Sequence, residues 1–333
     1  MKKKLGYNIR IKSEKVDHSV FKEYVEIAKR ADDAGIYYLA FPEFFARPDP
    51  NRIHVVPYMA AIATQTENVK LGFDVLELPL LHPLQVAYIS ASLDIISNGR
   101  FILGIGLGWV KSEYENFGIP FEERGKIGDE SLDIIKKLLS EGAIHEYKGK
   151  YFKLKNVVNP QCVQKPHPPI WIGGHSNPAL RRTAQYGNEW AGMWQDPGKM
   201  MGWKKEEWDI TERLEKLKQY CREFGRELVF GREPRGSCEV GYNQRLEVNI
   251  NPDKEKAIEE MRYWWEEVRK RQCRGGDTIE NKLKYAAVGP ADEVIEKIEA
   301  VFKTGAYLVT LYPSSVDSKT QWERIENEIL PCI

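Results

Sequence analysis

No CxxC pair occurs in this sequence. Its five cysteines, Cys162, Cys221, Cys238, Cys273 and Cys332, are odd in number and scattered, which fits a reducing cytoplasm better than a disulfide framework. The six histidines, His18, His54, His82, His145, His167 and His175, are equally dispersed. With no HExxH or comparable ligand spacing, metal chemistry is not indicated. Neither charge is in excess: Lys plus Arg and Asp plus Glu stand at 49 each, so no overall field draws the chain to nucleic acid or anionic lipid. No run approaches the roughly eighteen apolar residues that cross a bilayer. The basic start MKKK leads only into LGYNI, too short for the apolar region of a signal peptide. The expectation is a soluble, cytoplasmic chain acting on a small molecule, with neither nucleic acid nor membrane as partner.

What is present is a full complement of core-forming residues, 42% hydrophobic over 333 positions, enough for one large domain or two ordinary ones. Short apolar runs alternate with amphipathic helical patterns from end to end. LGYNI, YYLAF (37–41), VKLGFDVL (69–76), FILGIG (101–106), PIWIGG, EWAGM (189–193), RLEVNI (245–250) and YLVTLY (307–312) read as eight strands. Helical patterns cover 53–66, 84–97, 124–141, 178–186, 204–224, 253–271 and 291–303, and a stripe from Val20 to Ala34 stops at Gly35. The stretch 142–168 reads as irregular. There is no low-complexity linker and no internal repeat. Continuous apolar strands suit a parallel sheet covered on both faces, and the alternation predicts a single (β/α)₈ barrel over 1–333, a TIM barrel with insertions after strands 4 and 6. A doubly wound open sheet is the competing fold.

In a barrel, chemistry gathers at the carboxyl ends of the strands. Two places there stand out. The first is RFILGIGLGWVKSEYENFG, with Gly104, Gly106 and Gly108. A dinucleotide turn requires GxGxxG in the first βα unit, whereas this GxGxG sits in the fourth unit with Trp109 where the third glycine belongs. The glycines offer either a strand end on which a flat ligand approaches the backbone, or close strand packing. The second place is Gly173, Gly174, His175, Ser176 and Asn177, followed by a helix from about Pro178. Amides and a hydroxyl at a helix start form an anion site; the alternative is an ordinary capped helix.

Taken together and in order, VLELPLLHP (75–83), SNGRFILGIGLGW (97–109), EYENFGIPFEERG (113–125), PPIWIGGHSNPALRRTAQYGNEWAG (168–192) and VGPADEVIEKI…GAYLVTLYP resemble the bacterial-luciferase-like superfamily of flavin- and deazaflavin-dependent oxidoreductases. The resemblance implies a TIM barrel with a flavin across its carboxyl-end mouth, and a non-prolyl cis peptide in the third strand, here Asp74–Val75, bulging against the ring. It places cofactor contacts at Asp74, Val75, Gly106, Gly108, Gly173, Gly174 and His175, and phosphate contacts at Ser176 and Arg124. A guanidinium beside helix-start amides suits a monophosphate; a surface ion pair of Arg124 with Glu122 or Glu123 is the alternative.

One departure matters. Where family members carry an acidic residue and a catalytic histidine after the second strand, this chain has Glu43 and Phe44. Glu43 is either a base with a burial-raised pKa or a structural acceptor for backbone amides. Neither light emission nor sugar-phosphate dehydrogenation carries over. Phe44, Phe45, Trp109, Trp190 and Trp194 cluster near the expected mouth, with Phe44, Trp109 and Trp194 as the substrate-lining candidates. The segment 195–244, holding Trp203, Trp208, Arg232 and Arg235, with Arg245 just beyond, matches the family least and is where substrate choice is expected. Of Trp264 and Trp265, adjacent on a helix, one should be core and the other a partner surface.

The resemblance therefore implies an FMN-dependent monooxygenase for a small apolar organic substrate, using reduced FMN from a separate flavin reductase. A coenzyme F420-dependent hydride transferase of the methylenetetrahydromethanopterin reductase type is the alternative, and a flavin-binding barrel without turnover is the third. A homodimer through helices on one flank is common in the family.

Overall fold

The computed structural model of the chain describes residues 3–9, 17–45, 53–193, 209–269 and 278–333. Eight parallel strands form its centre: β1 Lys4–Asn8, β2 Tyr38–Phe41, β3 Lys70–Phe73, β4 Phe101–Gly106, β5 Ile170–Gly173, β6 Glu189–Met193, β7 Glu239–Ile250 and β8 Leu308–Pro313. Each pairs with its neighbours in the chain, and β8 pairs back onto β1. The sheet is a closed ring, so the open-sheet alternative fails. Around it lie α1 His18–Asp33, α2 Val55–Ala63, α3 Pro83–Ile96, α4 Arg124–Glu141, α5 Asn177–Tyr186, α6 Ile210–Glu223, α7 Lys254–Tyr263 and α8 Ala291–Phe302.

Strand periodicity sorts the core into two layers. Leu39 and Phe41 of β2 join the large cluster between strands and helices, with Ala28 of α1, Ile62 of α2 and Leu132 of α4. Tyr38 and Ala40 join a separate cluster with Ile102, Trp171 and Ala191. Tyr38 and Trp171 come from strands with two others between them, yet their rings lie 4.7 Å apart. The second cluster therefore fills the barrel interior. Polar groups share that space. Glu189 is buried, accepting hydrogen bonds from Tyr307 Oη and, at 2.7 Å, from Asn243 Nδ2.

Burial pushes the Glu189 carboxyl up to about 7, with the Tyr307 and Asn243 bonds and the charges of Lys70 and Lys4 pulling it partly back. Between its ordinary value of 4.5 and that raised value the folded chain holds a proton that the unfolded chain has released. Stability from this group is thus full below the ordinary value and is lost as pH rises through the folded one. Glu189→Gln keeps an acceptor oxygen for Tyr307, keeps the Asn243 bond once that amide turns over so that its Oδ1 accepts, and removes the titration. We expect the variant to exceed the parent at pH 8 by on the order of 2 kcal/mol and to lose that advantage on acidification, read from urea melts at the two extremes.

Several elements differ from the sequence reading. The strand expected over 69–76 stops at Phe73, and a short strand Leu76–Glu77 resumes pairing with β4. Between the pairs Gly72↔Ile102 and Leu76↔Ile105, β3 advances four residues and β4 three, so one extra residue is pushed out of the ladder. The irregular stretch 142–168 contains an antiparallel hairpin, Ala143–Lys148 with Lys153–Val158. Its tip is fixed from outside: the Glu130 carboxylate on α4 accepts the amides of Lys150, Tyr151 and Phe152 at 2.8–3.1 Å. Strand β7 runs from Glu239 rather than 245, because its polar Asn243 and Gln244 are buried. Trp264 and Trp265 are both buried, contrary to the split expected of them. Trp265 is covered by Ile279, which opens the following helix Ile279–Tyr285, and by Ala286 just after it, a cover the i/i+1 rule does not anticipate. Among the described residues, the expected helix at 204–224 begins at Ile210, no helix is long and apolar enough to cross a membrane, and no cluster of His, Cys, Asp and Glu could hold a metal ion.

Candidate active site

The extra residue of β3 organises the carboxyl end of the barrel. The Asp74–Val75 peptide is cis, where the family resemblance implied it. The displaced backbone overhangs β4: a Cβ on Gly104 would lie 1.8 Å from the Phe73 carbonyl oxygen. Further along, a Cβ on Gly106 would meet Val75 Cγ2 at 2.6 Å, and one on Gly173 of β5 would meet Val75 Cγ1 at 3.1 Å. The Val75 side chain thus occupies the space that two missing side chains leave. This answers the question posed by GxGxG. Gly104 serves close packing, and Gly106 makes room for the bulge; none of the glycines forms a phosphate turn.

Above the bulge is a cavity of about 400 Å³, bordered by Asp74, Val75, Gly106, Trp109, Arg124 and Ser176 among others, a normal size for a small-molecule site. One end is built for an anion. Arg124, the first residue of α4, donates through Nη1 to the Phe121 carbonyl at 2.8 Å and stacks on the Phe121 ring at 3.8 Å. Its charge is not taken by Glu122 or Glu123; Glu123 pairs with Lys126 and Lys150 instead. Ser176 caps α5, its Oγ accepting the Ala179 amide at 3.4 Å, a long bond that leaves the hydroxyl proton unspent. Buried Arg182 ties the two helices together, with Nε on Asp129 at 2.5 Å and Nη2 on the Gly125 carbonyl at 3.3 Å.

The other end is aromatic and acidic. Tyr312 Oη donates to Asp74 Oδ2, and the Arg245 guanidinium lies over the Tyr312 ring at 3.8 Å. Burial raises the Asp74 carboxyl above its ordinary value, while Arg245 and the Tyr312 bond oppose the rise. His175 is buried beside Trp190, and burial with the charges of Arg213 and Arg245 lowers its imidazole to about 3. It is neutral at any working pH and takes up no second proton there. Trp190 Nε1 donates to the Gly174 carbonyl at 2.8 Å, which fixes the backbone of the β5–α5 turn.

Comparison with known proteins decides the family. The luciferase-like monooxygenase model matches residues 4–308. The chain belongs to the luciferase-like monooxygenase family. A relative within reach of sequence is the flavin-dependent trigonelline monooxygenase, oxygenase component, of Acinetobacter baylyi, 30% identical over 166 residues, 49% of this chain and 46% of that one. Among solved structures, the oxygenating constituent of 3,6-diketocamphane monooxygenase from Pseudomonas putida, in complex with FMN, superposes with a TM-score of 0.73 at 19% identity, covering 100% of this chain and 99% of that one. The F420-dependent tetrahydromethanopterin reductase of Methanopyrus kandleri also gives 0.73, at 20% identity with 99% of both chains covered. At these identities the two structures speak for the fold alone.

Within this luciferase-like scaffold the sequence-derived candidates separate. Asp74, Val75, Gly106, Gly108, Arg124, Gly173, Gly174, His175 and Ser176 all border the cavity, as do Phe44 and Trp109. Glu43 does not border it. Its oxygens accept the amides of Phe44, at 3.1 Å, and of Val55 at the start of α2, at 2.8 Å, with His54 Nδ1 at 3.4 Å. Those bonds are of the kind the structural-acceptor alternative describes. Phe45 packs on His54 and Phe117. Trp194, Trp203 and Trp208 lie outside the described residues. Sequence reasoning missed Glu77, Arg182 and Tyr312 as members of the site, and assigned Arg245 only to a variable region. Their signals were weak: a second arginine in ALRR, an acid in LEL, a tyrosine at the end of an apolar strand.

Proposed function

We propose that this chain is an FMN-dependent monooxygenase that takes reduced FMN from a separate reductase and acts with oxygen on a small organic substrate. The observation that carries the reading is Arg124: a half-buried guanidinium facing the cavity, beside the α5 start, with no carboxylate partner among the described residues. A compact cationic end of this kind suits one phosphate monoester. Arg124, the Ser176 hydroxyl and the first amides of α5 would hold that group. The Val75 wedge, with the bare edges at Gly106 and Gly173, would support a flat ring. Bound reduced flavin supplies two electrons to oxygen, one oxygen atom entering the substrate and the other leaving as water.

The protein's own part is binding, orientation and exclusion of solvent. Phe44 and Trp109 give apolar wall to the substrate side. Tyr312 holds the Asp74 carboxyl in place. His175 is neutral, and position 44 holds a phenylalanine rather than a histidine. The relative named as an oxygenase component and the FMN-bound fold neighbour support the reading.

Titration of the protein with FMN, reduced FMN and F420, followed by absorbance, tests it, together with oxygen uptake in the presence of a flavin reductase and NADH. We expect saturable binding of reduced FMN and substrate-dependent oxygen consumption. Binding of F420 alone would replace this assignment with the hydride-transferase reading, and tight FMN without turnover would leave a flavin-binding barrel.

A further inference from the structure

At the opposite end of the barrel, where the strands begin, lies a larger cavity of about 660 Å³. Its border includes the residues that open or just precede strands: Lys4, Lys70, Pro169, Glu189 and Tyr307. The segment 231–237 forms one wall. This face of a (β/α)₈ barrel ordinarily serves stability rather than binding, so an open volume of this size there calls for an occupant.

Charge says which kind. The chain as a whole is electrically balanced, yet seven lysines and arginines border this cavity against two carboxylates. Part of that excess is spent. Lys4 and Lys70 share Glu233, at 2.8 and 2.9 Å, and Arg232 pairs with Glu239 at 2.6 Å. Arg226 donates to the carbonyls of Ala184, Ser237 and Glu239, which satisfies its N–H groups without cancelling its charge.

Among the described residues three other cations form no ion pair, although Asp133 lies near Lys136 and Glu239 near Arg235. Among the described residues, the side chains of Lys136 and Arg235 make no hydrogen bond or ion pair, and Lys165 reaches only the Gln161 amide oxygen at 3.3 Å. Lys136 is half-buried, and burial together with the neighbouring Arg226 lowers its pKa. Asp133 opposes that shift without forming an ion pair, so Lys136 is a partly desolvated cation with no bonded counter-charge among the described residues. The indole N–H of Trp171, which also borders the cavity, is buried without an acceptor. Cationic side chains therefore outnumber carboxylates around a half-open recess, with Lys136 half-buried in it and Lys165 and Arg235 exposed at its border. A surface stripe for a nucleic-acid backbone would instead lay its cations along one exposed face.

We propose that this floor cavity binds a small, multiply charged phosphorylated molecule, with Lys136, Lys165 and Arg235 as its principal contacts. Lysine and arginine around a recess are the usual complement of phosphate oxygens, and a 660 Å³ volume admits more than a single phosphate. The site is separate from the flavin end, since Arg124 and Ser176 border the other cavity only.

Isothermal titration at constant ionic strength tests the proposal, with pyrophosphate as the first probe and ADP as the second. Wild-type protein should bind pyrophosphate saturably at one site. The double variant Lys136→Ala/Arg235→Ala should bind about tenfold more weakly or worse, with an unchanged melting temperature, because neither side chain holds other structure. Arg124→Ala should leave this binding as it is. Tighter binding of ADP would identify a nucleotide as the source of the phosphates, and equal binding the phosphates alone. The proposal is overturned by absence of saturable binding at about 5 mM probe, by equal affinity in the double variant, or by loss of the site in Arg124→Ala, which would put the probe in the upper cavity. The last measurement also keeps this test independent of the flavin assignment.

Discussion

Gly104→Ala should cost about 3 kcal/mol or more, the largest stability loss expected of any single methyl group in this chain. The added Cβ would fall 1.8 Å from the Phe73 carbonyl oxygen and 2.9 Å from its carbon. Both obstacles are backbone, and they belong to a segment already displaced by one residue from the ladder. Neither can swing aside as a side-chain end would. Gly118 is the matched control. Its φ is +67° and nothing lies within 4 Å of a built Cβ, so alanine there meets only the left-handed backbone penalty of roughly 1 kcal/mol. Urea melts of the two variants give the comparison. Equal stability would mean that the third strand does not overhang the fourth.

The second large effect is on ligand affinity. Arg124→Ala should weaken FMN binding ten- to a hundredfold, the loss of about 1.5–3 kcal/mol that follows removal of a charged hydrogen-bond partner. A surface ion pair would be worth about 0–1 kcal/mol, and the difference separates the two roles. Arg124→Lys keeps the charge and loses the planar fork, so an intermediate constant is expected. Fluorescence titration of FMN gives all three values. An unchanged constant in the alanine variant removes this residue from the phosphate end.

Most of the barrel was legible in the sequence because parallel strands buried on both faces leave long apolar signatures. FILGIG and EWAGM have the same limits in the structure as in the sequence, and the helix at 124–141 is likewise unchanged. Where reading failed, the cause was a partner distant in the chain. The hairpin at 143–158 has a polar, exposed face and depends on Glu130, some twenty positions earlier. Trp265 is buried by a helix that lies beyond it. The break in β3 is invisible in VKLGFDVL, since an apolar run does not record which peptide leaves the ladder; there the family resemblance, not periodicity, located it.

The site was legible in the same uneven way. Glycines and the capping serine stood out as types that few positions demand. Arg182 and Tyr312 looked like ordinary helix and strand residues, and only the folded barrel brings Arg182 against Asp129 and Gly125 and Tyr312 beside Asp74. Phe44 in place of a histidine was plain from the sequence. What the neighbouring Glu43 does instead was left with two answers, and the amides of Phe44 and Val55 supply the geometry for one.

The outer hairpin has a mechanical meaning. Its tip is stitched to α4 through Glu130, and Lys150 and Tyr151 also reach Glu123, the residue next to Arg124. What resembles a decorative flap is thus a splint across the first turns of the helix that presents the guanidinium. Grafts or insertions at 149–152, harmless in a free solvent loop, would be expected to loosen the placement of Arg124, and with it the proposed phosphate contact, from outside the cavity.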